Sequence, residues 1–253
     1  LFLNSREWRM GWRALHQIEA KGPSNETIQK LKKRAINELG GTDLGSWGAI
    51  VELRYRTVEE KGGKESKPKS KKMYRVSFDE DPSQDMYVLD EGVIAADVSL
   101  QKIFGEIKLT QKRKSVKFIG EKFRVGDFVF RVGALTGRLD AVVLEVEYLC
   151  CHTVQASEIL REIALILLGP LTVPPHHQKN LSQISEHFRK QIITVNSVNS
   201  KFDQYKLPST PFTSRHRAAL YAHLAERVTL ASSGKPPGIT CNATARQHAA
   251  FGT

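Results

Sequence analysis

The run Gly126-Asp127-Phe128-Val129-Phe130-Arg131-Val132-Gly133, followed closely by Val142-Val143-Leu144-Glu145-Val146-Glu147-Tyr148, decides the fold. Phe128, Phe130 and Val132 alternate with Val129 and Arg131. Val142, Leu144, Val146 and Tyr148 alternate with Val143, Glu145 and Glu147. A period of two sends successive side chains to opposite sheet faces, so each run reads as a strand. Just upstream, Val116 and Phe118 alternate before a turn expected at Gly120-Glu121, and Phe123 and Val125 lead into Gly126-Asp127. Connections this short exclude parallel crossovers, which need about a dozen residues or more. Ser115 to Tyr148 is therefore an antiparallel meander, and a long sheet of this kind curls or closes to hide its edges.

The flanking sequence extends this pattern. Trp12 to Gln17 reads as a short strand. Pro23-Ser24-Asn25 opens a helix with a capping side chain available, carrying Ile28, Leu31, Ala35 and Leu39 inward, and Gly40-Gly41 closes it. Trp47, Ala49, Val51, Leu53 and Tyr55 alternate with Gly48, Ile50, Glu52, Arg54 and Arg56, which predicts one buried and one wet face. Residues 61–72, rich in Gly, Ser, Pro and Lys, read as a long hairpin loop before Tyr74, Val76 and Phe78. Met86 to Leu89 and Val93 to Ala96 are two further strands around the Asp90-Glu91-Gly92 turn, and Leu100, Ile103, Phe104 and Ile107 share one face of a short helix.

Ala156 to Leu168 is apolar almost all round, which predicts a helix buried on several sides, either filling the concave sheet face or lying at a partner interface. Gly169-Pro170 stops it. A loop containing Pro174-Pro175-His176-His177 follows, then an amphipathic helix marked by Leu181, Ile184, Phe188 and Ile192. The final helix carries Ala218, Tyr221, Leu224, Ala225 and Val228 on one stripe, with Thr213 or Ser214 as cap. The expected fold class is α+β, a curled or closed, barrel-like antiparallel sheet with packed helices. Residues 12–231 form that single domain, including the basic loop at 61–72. Residues 1–11 are an N-terminal extension, disordered or foreign to the domain, and 232–253 a disordered tail.

The 253 residues suit one large domain or two small ones, with 40% hydrophobic content. The longest strongly apolar stretch, Ile163 to Leu168, is far short of the ~20 residues of a membrane span, so a soluble chain without membrane association is expected. Net charge is +11, yet it is concentrated. Lys61 to Arg75 and Lys108 to Arg124 each hold seven basic residues and one Glu, leaving the remainder close to neutral. Such clustering fits solvated strand faces, or docking on a nucleic acid or an acidic partner. Three cysteines, two of them adjacent, form no disulfide framework, and no leader of secretory type stands at the start; a reducing intracellular compartment is expected.

No catalytic, metal or cofactor constellation emerges. Glu145 and Glu147 lie on one strand face, about 7 Å apart. Barrel triphosphatases use a Glu-x-Glu-x-Lys strand to hold a metal for phosphate chemistry, but Leu149 stands where the Lys would be, so the pair reads as a solvent-facing strand side. Cys150-Cys151-His152 lacks the two-to-four-residue separation of zinc cysteines, even with His176 and His177 added, and His216 and His223 have no third ligand. Gly133 to Arg138 lacks the Gly-Lys-Ser/Thr ending of a phosphate loop. Lys112, Arg113, Lys114, Lys117, Lys122 and Arg124 flank Phe118 and Phe123, but these rings follow core alternation and disfavour direct nucleic-acid binding. A metal-dependent triphosphate hydrolase and a nucleic-acid-binding module are the alternatives to a binding subunit. Ile50, Val129 and Val143, apolar residues on expected wet faces, are candidates for a partner surface.

The Gly-Asp-Phe strand ending at Val132-Gly133, followed by Leu144-Glu145-Val146-Glu147-Tyr148, resembles subunit 20 of the Mediator complex, the TATA-binding-protein-related factor family. Trp12 to His16 is similar to the family's opening strand. Tyr205 to Leu207, then Phe212-Thr213 with His216, Ala218 and Tyr221, is similar to its closing segment. The basic loop, the Pro174–His177 segment and the tail after Ala231 have no counterpart. The resemblance implies a nuclear, non-catalytic coactivator subunit of the Mediator head module, with a barrel-like sheet and no cofactor. It implies pairing with Mediator subunit 18, tethering through subunit 8, and contact with other head subunits, RNA polymerase II and TATA-binding protein.

Overall fold

The computed structural model describes residues 11–19, 23–58, 69–107, 110–136, 141–150, 157–169, 194–197, 202–208 and 211–231. The expected extension at 1–11 lies outside them save for Gly11. Most of the basic loop, the helix expected at 181–192 and the tail at 232–253 also lie outside.

Among the described residues nine strands form one sheet, every neighbouring pair antiparallel. They are β1 (Trp12–Glu19), β2 (Thr42–Val58), β3 (Lys69–Phe78), β4 (Gln84–Leu89), β5 (Gly92–Asp97), β6 (Thr110–Val125), β7 (Phe128–Leu135), β8 (Ala141–Tyr148) and β9 (Thr194–Ser197). Their spatial order is β5-β4-β3-β2-β6-β7-β8-β1-β9. Two meanders, β2 to β5 and β6 to β8, are joined through the β2–β6 pair. The four α-helices among the described residues are α1 (Ser24–Lys33), α2 (Leu100–Glu106), α3 (Ser157–Leu168) and α4 (Ser214–Ala231).

The turn expected at Gly120-Glu121 does not occur; β6 runs through it unbroken. Gly120 lies opposite Gly133, and a Cβ on Gly120 would sit 1.8 Å from the Val132 carbonyl oxygen. The glycine is there for close backbone approach within a strand, which looks the same in sequence as a turn. The α1 cap also differs. Pro23 is the cap residue, its carbonyl accepting from the Glu26 and Thr27 amides, and no side chain caps the helix. Gly40, at φ +67°, lies just beyond α1 and the wider turn at Arg34–Glu38, in the left-handed conformation expected of a closing glycine.

The register assigns each helix to a face. Phe123, Phe130, Leu144, Val146 and Ile18 share one face, beneath α1 and α3. Trp47, Ala49, Phe118 and Glu145 share the other, where α4 lies. Tyr221 of α4 has its ring 5.3 Å from Phe78 of β3 and its hydroxyl 2.7 Å from Glu145 of β8. On a flat sheet those strands, four steps apart, would be separated by about 19 Å. The sheet therefore bends round α4, as the expected curled, barrel-like α+β fold requires.

Of the two long helices it is α4, expected to bury one stripe, that fills the concave face, and not α3, for which that face was the first of two expected places. α4 is buried over seven consecutive residues, His216 to Ala222, not along one stripe. Ala218, Ala219, Ala222 and Ala225 keep the helix thin enough to fill the concavity. α3 buries Leu160, Ala164, Leu167 and Leu168 against β1 and β8 on the convex side, and exposes Ile159 and Ile166.

Candidate functional site

The concave face carries the densest polar chemistry of the described residues. β8 presents Glu145 and Glu147, paired in register with Leu15 and Arg13 of β1 and with Arg131 and Val129 of β7. Alternation thus places Arg13, Arg131 and both glutamates on one face. α4 adds Arg217 and Tyr221, and Glu80 enters from the turn after β3.

Every carboxylate oxygen of the β8 pair is engaged. Glu145 Oε1 accepts from Arg13 Nη1 at 2.7 Å and Arg131 Nη1 at 2.9 Å. Its Oε2 accepts from Arg217 Nε at 3.0 Å and the Tyr221 hydroxyl at 2.7 Å. Glu147 Oε1 meets Arg13 Nη2 at 2.9 Å, and its Oε2 accepts from Arg131 Nη1 at 2.9 Å. Glu80 joins Arg131 and Arg217 at 3.0 and 2.8 Å and also pairs with Lys122. The Arg217 guanidinium stacks 3.9 Å from the Phe78 ring centroid. Three buried guanidiniums therefore meet three carboxylates.

Glu145 is 1% exposed. Burial alone would raise its pKa, but Arg217, Arg131 and Arg13 outweigh that and hold it at about 2. Glu80 is lowered in the same way, with Arg217 and Arg131 overcoming its burial. Arg13 falls to about 10, through burial first and then repulsion from Arg217 and Arg131. Burial, reinforced by the Glu145 charge, pushes the Tyr221 hydroxyl well up. Glu145 and Glu80 are held ionised at neutral pH by these arginines, and a metal could reach Glu145 or Glu147 only by displacing a guanidinium. Chemically, the arrangement is a neutral internal lattice.

The expectation that Glu145 and Glu147 face solvent is thus wrong. Alternation located the face correctly but not what covers it. Glu52 and Arg54 fail the same expectation for β2, at 5% and 6% exposure. Glu52 binds Lys112 at 2.6 Å, Arg54 at 2.6 Å and Arg75 at 3.2 Å, and Arg75 continues to Asp85 at 2.7 Å. The readable signal was arginine at in-strand positions, Arg13 and Arg131 in one cluster and Arg54 and Arg75 in the other, since a planar guanidinium suits buried pairing.

The other singled-out residues scatter. Val129 and Val143, candidates for a partner surface, are buried within the chain, because the concave face is filled; Ile50 is half-buried. Cys150 is exposed, whereas Cys151, His152, His176 and His177 lie outside the described residues. Among the described residues no three His, Cys, Asp or Glu side chains are grouped to hold a metal. His216 serves the start of α4: its Nδ1 accepts from the Thr213 amide at 3.1 Å, which leaves Nε2 to donate to the Pro208 carbonyl at 2.7 Å. Gly133 to Leu135 belong to β7, not to a loop. Phe118 and Phe123 are fully buried, as the alternation implied, while Lys112, Arg113, Lys114 and Lys117 line the exposed part of β6. No described helix is long and apolar enough to cross a membrane.

Comparison with known proteins places these features in a family. Residues 10–205 match the family described as the TATA-binding related factor (TRF) of subunit 20 of the Mediator complex. The chain is 23% identical over 204 residues to Mediator of RNA polymerase II transcription subunit 20 of Aedes aegypti, covering 74% of this chain and 90% of that one. It is 26% identical over 135 residues to subunit 20b of Arabidopsis thaliana, covering 51% and 61%. Among solved structures, the Schizosaccharomyces pombe Mediator head module matches with TM-score 0.36 and 14% identity, over 62% of this chain and 90% or more (94%) of that one. A Pyrococcus horikoshii protein matches with TM-score 0.38 and 13% identity, over 62% and 90%. On the extent of the family match, the chain belongs to the TATA-binding related factor family of Mediator subunit 20, a family of transcription-regulating subunits.

Proposed function

We propose that this chain is a non-catalytic subunit of the Mediator head module in the nucleus. It heterodimerises with Mediator subunit 18, reaches the other head subunits through subunit 8, and helps bridge regulators to RNA polymerase II and TATA-binding protein. One observation carries the reading. On the sheet face where a barrel hydrolase needs open acidic oxygens, all four oxygens of Glu145 and Glu147 are consumed by this chain's own arginines and Tyr221. A filled concavity leaves the outer surfaces as the means of action.

A pull-down from nuclear extract, with partners identified by mass spectrometry, tests the proposal. Recovery of head-module subunits, with subunit 18 stoichiometric, is the expected result; their absence overturns it. Manganese-stimulated release of phosphate from triphosphate, abolished by Glu145→Gln, would establish the hydrolase instead.

A further inference from the structure

α3 lies over β1 and β8 on the convex side and buries Leu160, Ala164, Leu167 and Leu168 there. Ile159 and Ile166 are left 44% and 52% exposed, with the partly buried Ile163 between them. At 100° per residue these three isoleucines form a second stripe, about 120° round the helix from the buried one. They face sideways along the sheet more than straight out to solvent. That is the direction in which a neighbouring helix of the same layer lies.

The chain itself brings a helix to this place. It leaves α3 at Leu168 and rejoins the sheet at β9, whose partner β1 is a strand beneath α3. Between the two, Leu181, Ile184, Phe188 and Ile192 predict an amphipathic helix. Of the stretches outside the described residues, this one carries a continuous apolar stripe at helical spacing. A helix over 181–192 matches the 12 residues of α3, about 18 Å in length. Ile192 stands two residues before Thr194, the start of β9, so the end of that helix is pinned about one strand spacing, 4.8 Å, from β1. Packed helices lie about 8–10 Å apart, within reach of that anchor. α4 fills the concave face, which leaves the convex surface beside α3 to receive the stripe. A segment tethered at both ends acts at an effective concentration of about millimolar, which a partner in free solution must outcompete.

We propose that residues 181–192 dock as a helix beside α3, packing Leu181, Ile184 and Phe188 on Ile159, Ile163 and Ile166. The outer stripe of α3 is then closed by its own chain and is not a partner surface. Partners engage the molecule elsewhere.

The test uses the full chain without any partner, so its result does not depend on whether the chain binds Mediator subunits. Amides of 181–192 exchange about tenfold or more slower than those of an unstructured segment, equally at low and high protein concentration. Ile166→Asp abolishes that protection while exchange in β8 stays unchanged, which certifies the fold; Ile166→Ala reduces it in smaller measure. From the other side, a thiol placed by Ile166→Cys is labelled about tenfold or more faster once Phe188→Asp is added, while the exposed Cys150 keeps its rate. Fast exchange of 181–192 in the wild-type chain overturns the inference, as does protection that survives Ile159→Asp and Ile166→Asp together. Protection that rises with concentration assigns the stripe to a second copy and overturns it. Protection of the stripe gained only on adding purified Mediator subunit 18 assigns it to a partner and overturns it equally.

Discussion

Glu145 and Glu52 occupy the same kind of position in two halves of one sheet. Each sits mid-strand on the polar side of an alternating pattern, each is nearly inaccessible, and each is held at a pKa of about 2 by neighbouring cations that overcome its burial. They differ in what those cations tie together. Around Glu145 the partners come from β1, β7 and α4, elements as far apart as residues 13 and 217. Around Glu52 they come from β2, β3 and β6, strands that the sheet's own hydrogen bonds already join. The inner cluster fixes how the sheet wraps its helix. The outer one reinforces pairings that exist without it.

The largest expected effect breaks the inner cluster. Glu145→Gln leaves three guanidiniums, Arg13, Arg131 and Arg217, sharing the two carboxylates of Glu147 and Glu80, with one buried positive charge uncompensated. Removing one partner from a buried ion network costs about 3–5 kcal/mol, to be read as a lowered urea midpoint. A midpoint within error of wild type would mean that water reaches these groups and that the inner cluster is no more structural than the outer.

Tyr221→Phe is the next step down. It removes the 2.7 Å hydrogen bond to Glu145 Oε2 while keeping the ring against Trp47, Phe78 and Phe118. Hydrogen bonds to charged groups contribute about 1.5–3 kcal/mol. Loss in that range, without change in the denaturant slope, separates the hydroxyl's role from the packing of its ring. No loss would place the weight on the arginines alone.

Acid titration addresses both clusters at once. Glu145 and Glu52 have folded pKa values near 2, below the model-peptide value of 4.5. Groups lowered on folding contribute stability that is complete above the unfolded pKa and is lost as pH falls toward the folded one. Stability should therefore decline between about pH 4.5 and pH 2. In Glu145→Gln that decline is shallower, since one of the lowered carboxylates is gone while Glu52 and Glu80 remain. An unchanged acid slope in the variant would sink the assignment of the lowered pKa to this residue.

How much of this was legible beforehand depends on the period of the signal. The meander from β6 to β8, the strand at Trp12 and the core positions of Phe118 and Phe123 follow from alternation, a local property. β9 was not foreseen: four residues directly after an expected helix carry too little pattern of their own to register. Gly120 was misread because glycine marks both turns and places where backbones crowd. The concave face, one of two places expected for α3, goes to α4 instead, because apolar content is no measure of depth. α4 is central because its alanines are small, not because its face is greasy, whereas α3, richer in Ile and Leu, covers the convex side and shows Ile159 and Ile166 outward. The inner lattice escaped because Arg13, Arg131 and Arg217 converge only in three dimensions, and polar residues in a strand read as wet wherever their partners are distant in sequence.

The smallest effect sharpens the contrast most. Glu52→Gln removes a carboxylate whose partners keep other outlets: Arg75 retains Asp85, Arg54 retains Thr110 Oγ1 at 3.4 Å, and the Lys112 side chain is half exposed and free to turn to water. Solvent screening reduces such pairs, so the expected loss is about 1 kcal/mol, falling further in high salt. Glu145→Gln should show little salt dependence, because its arginines are shielded from mobile ions. Measuring both variants at low and high salt thus tests the distinction directly. Equal salt dependence would mean that depth of burial is not what separates the two clusters, and that tying together distant elements must carry the whole difference.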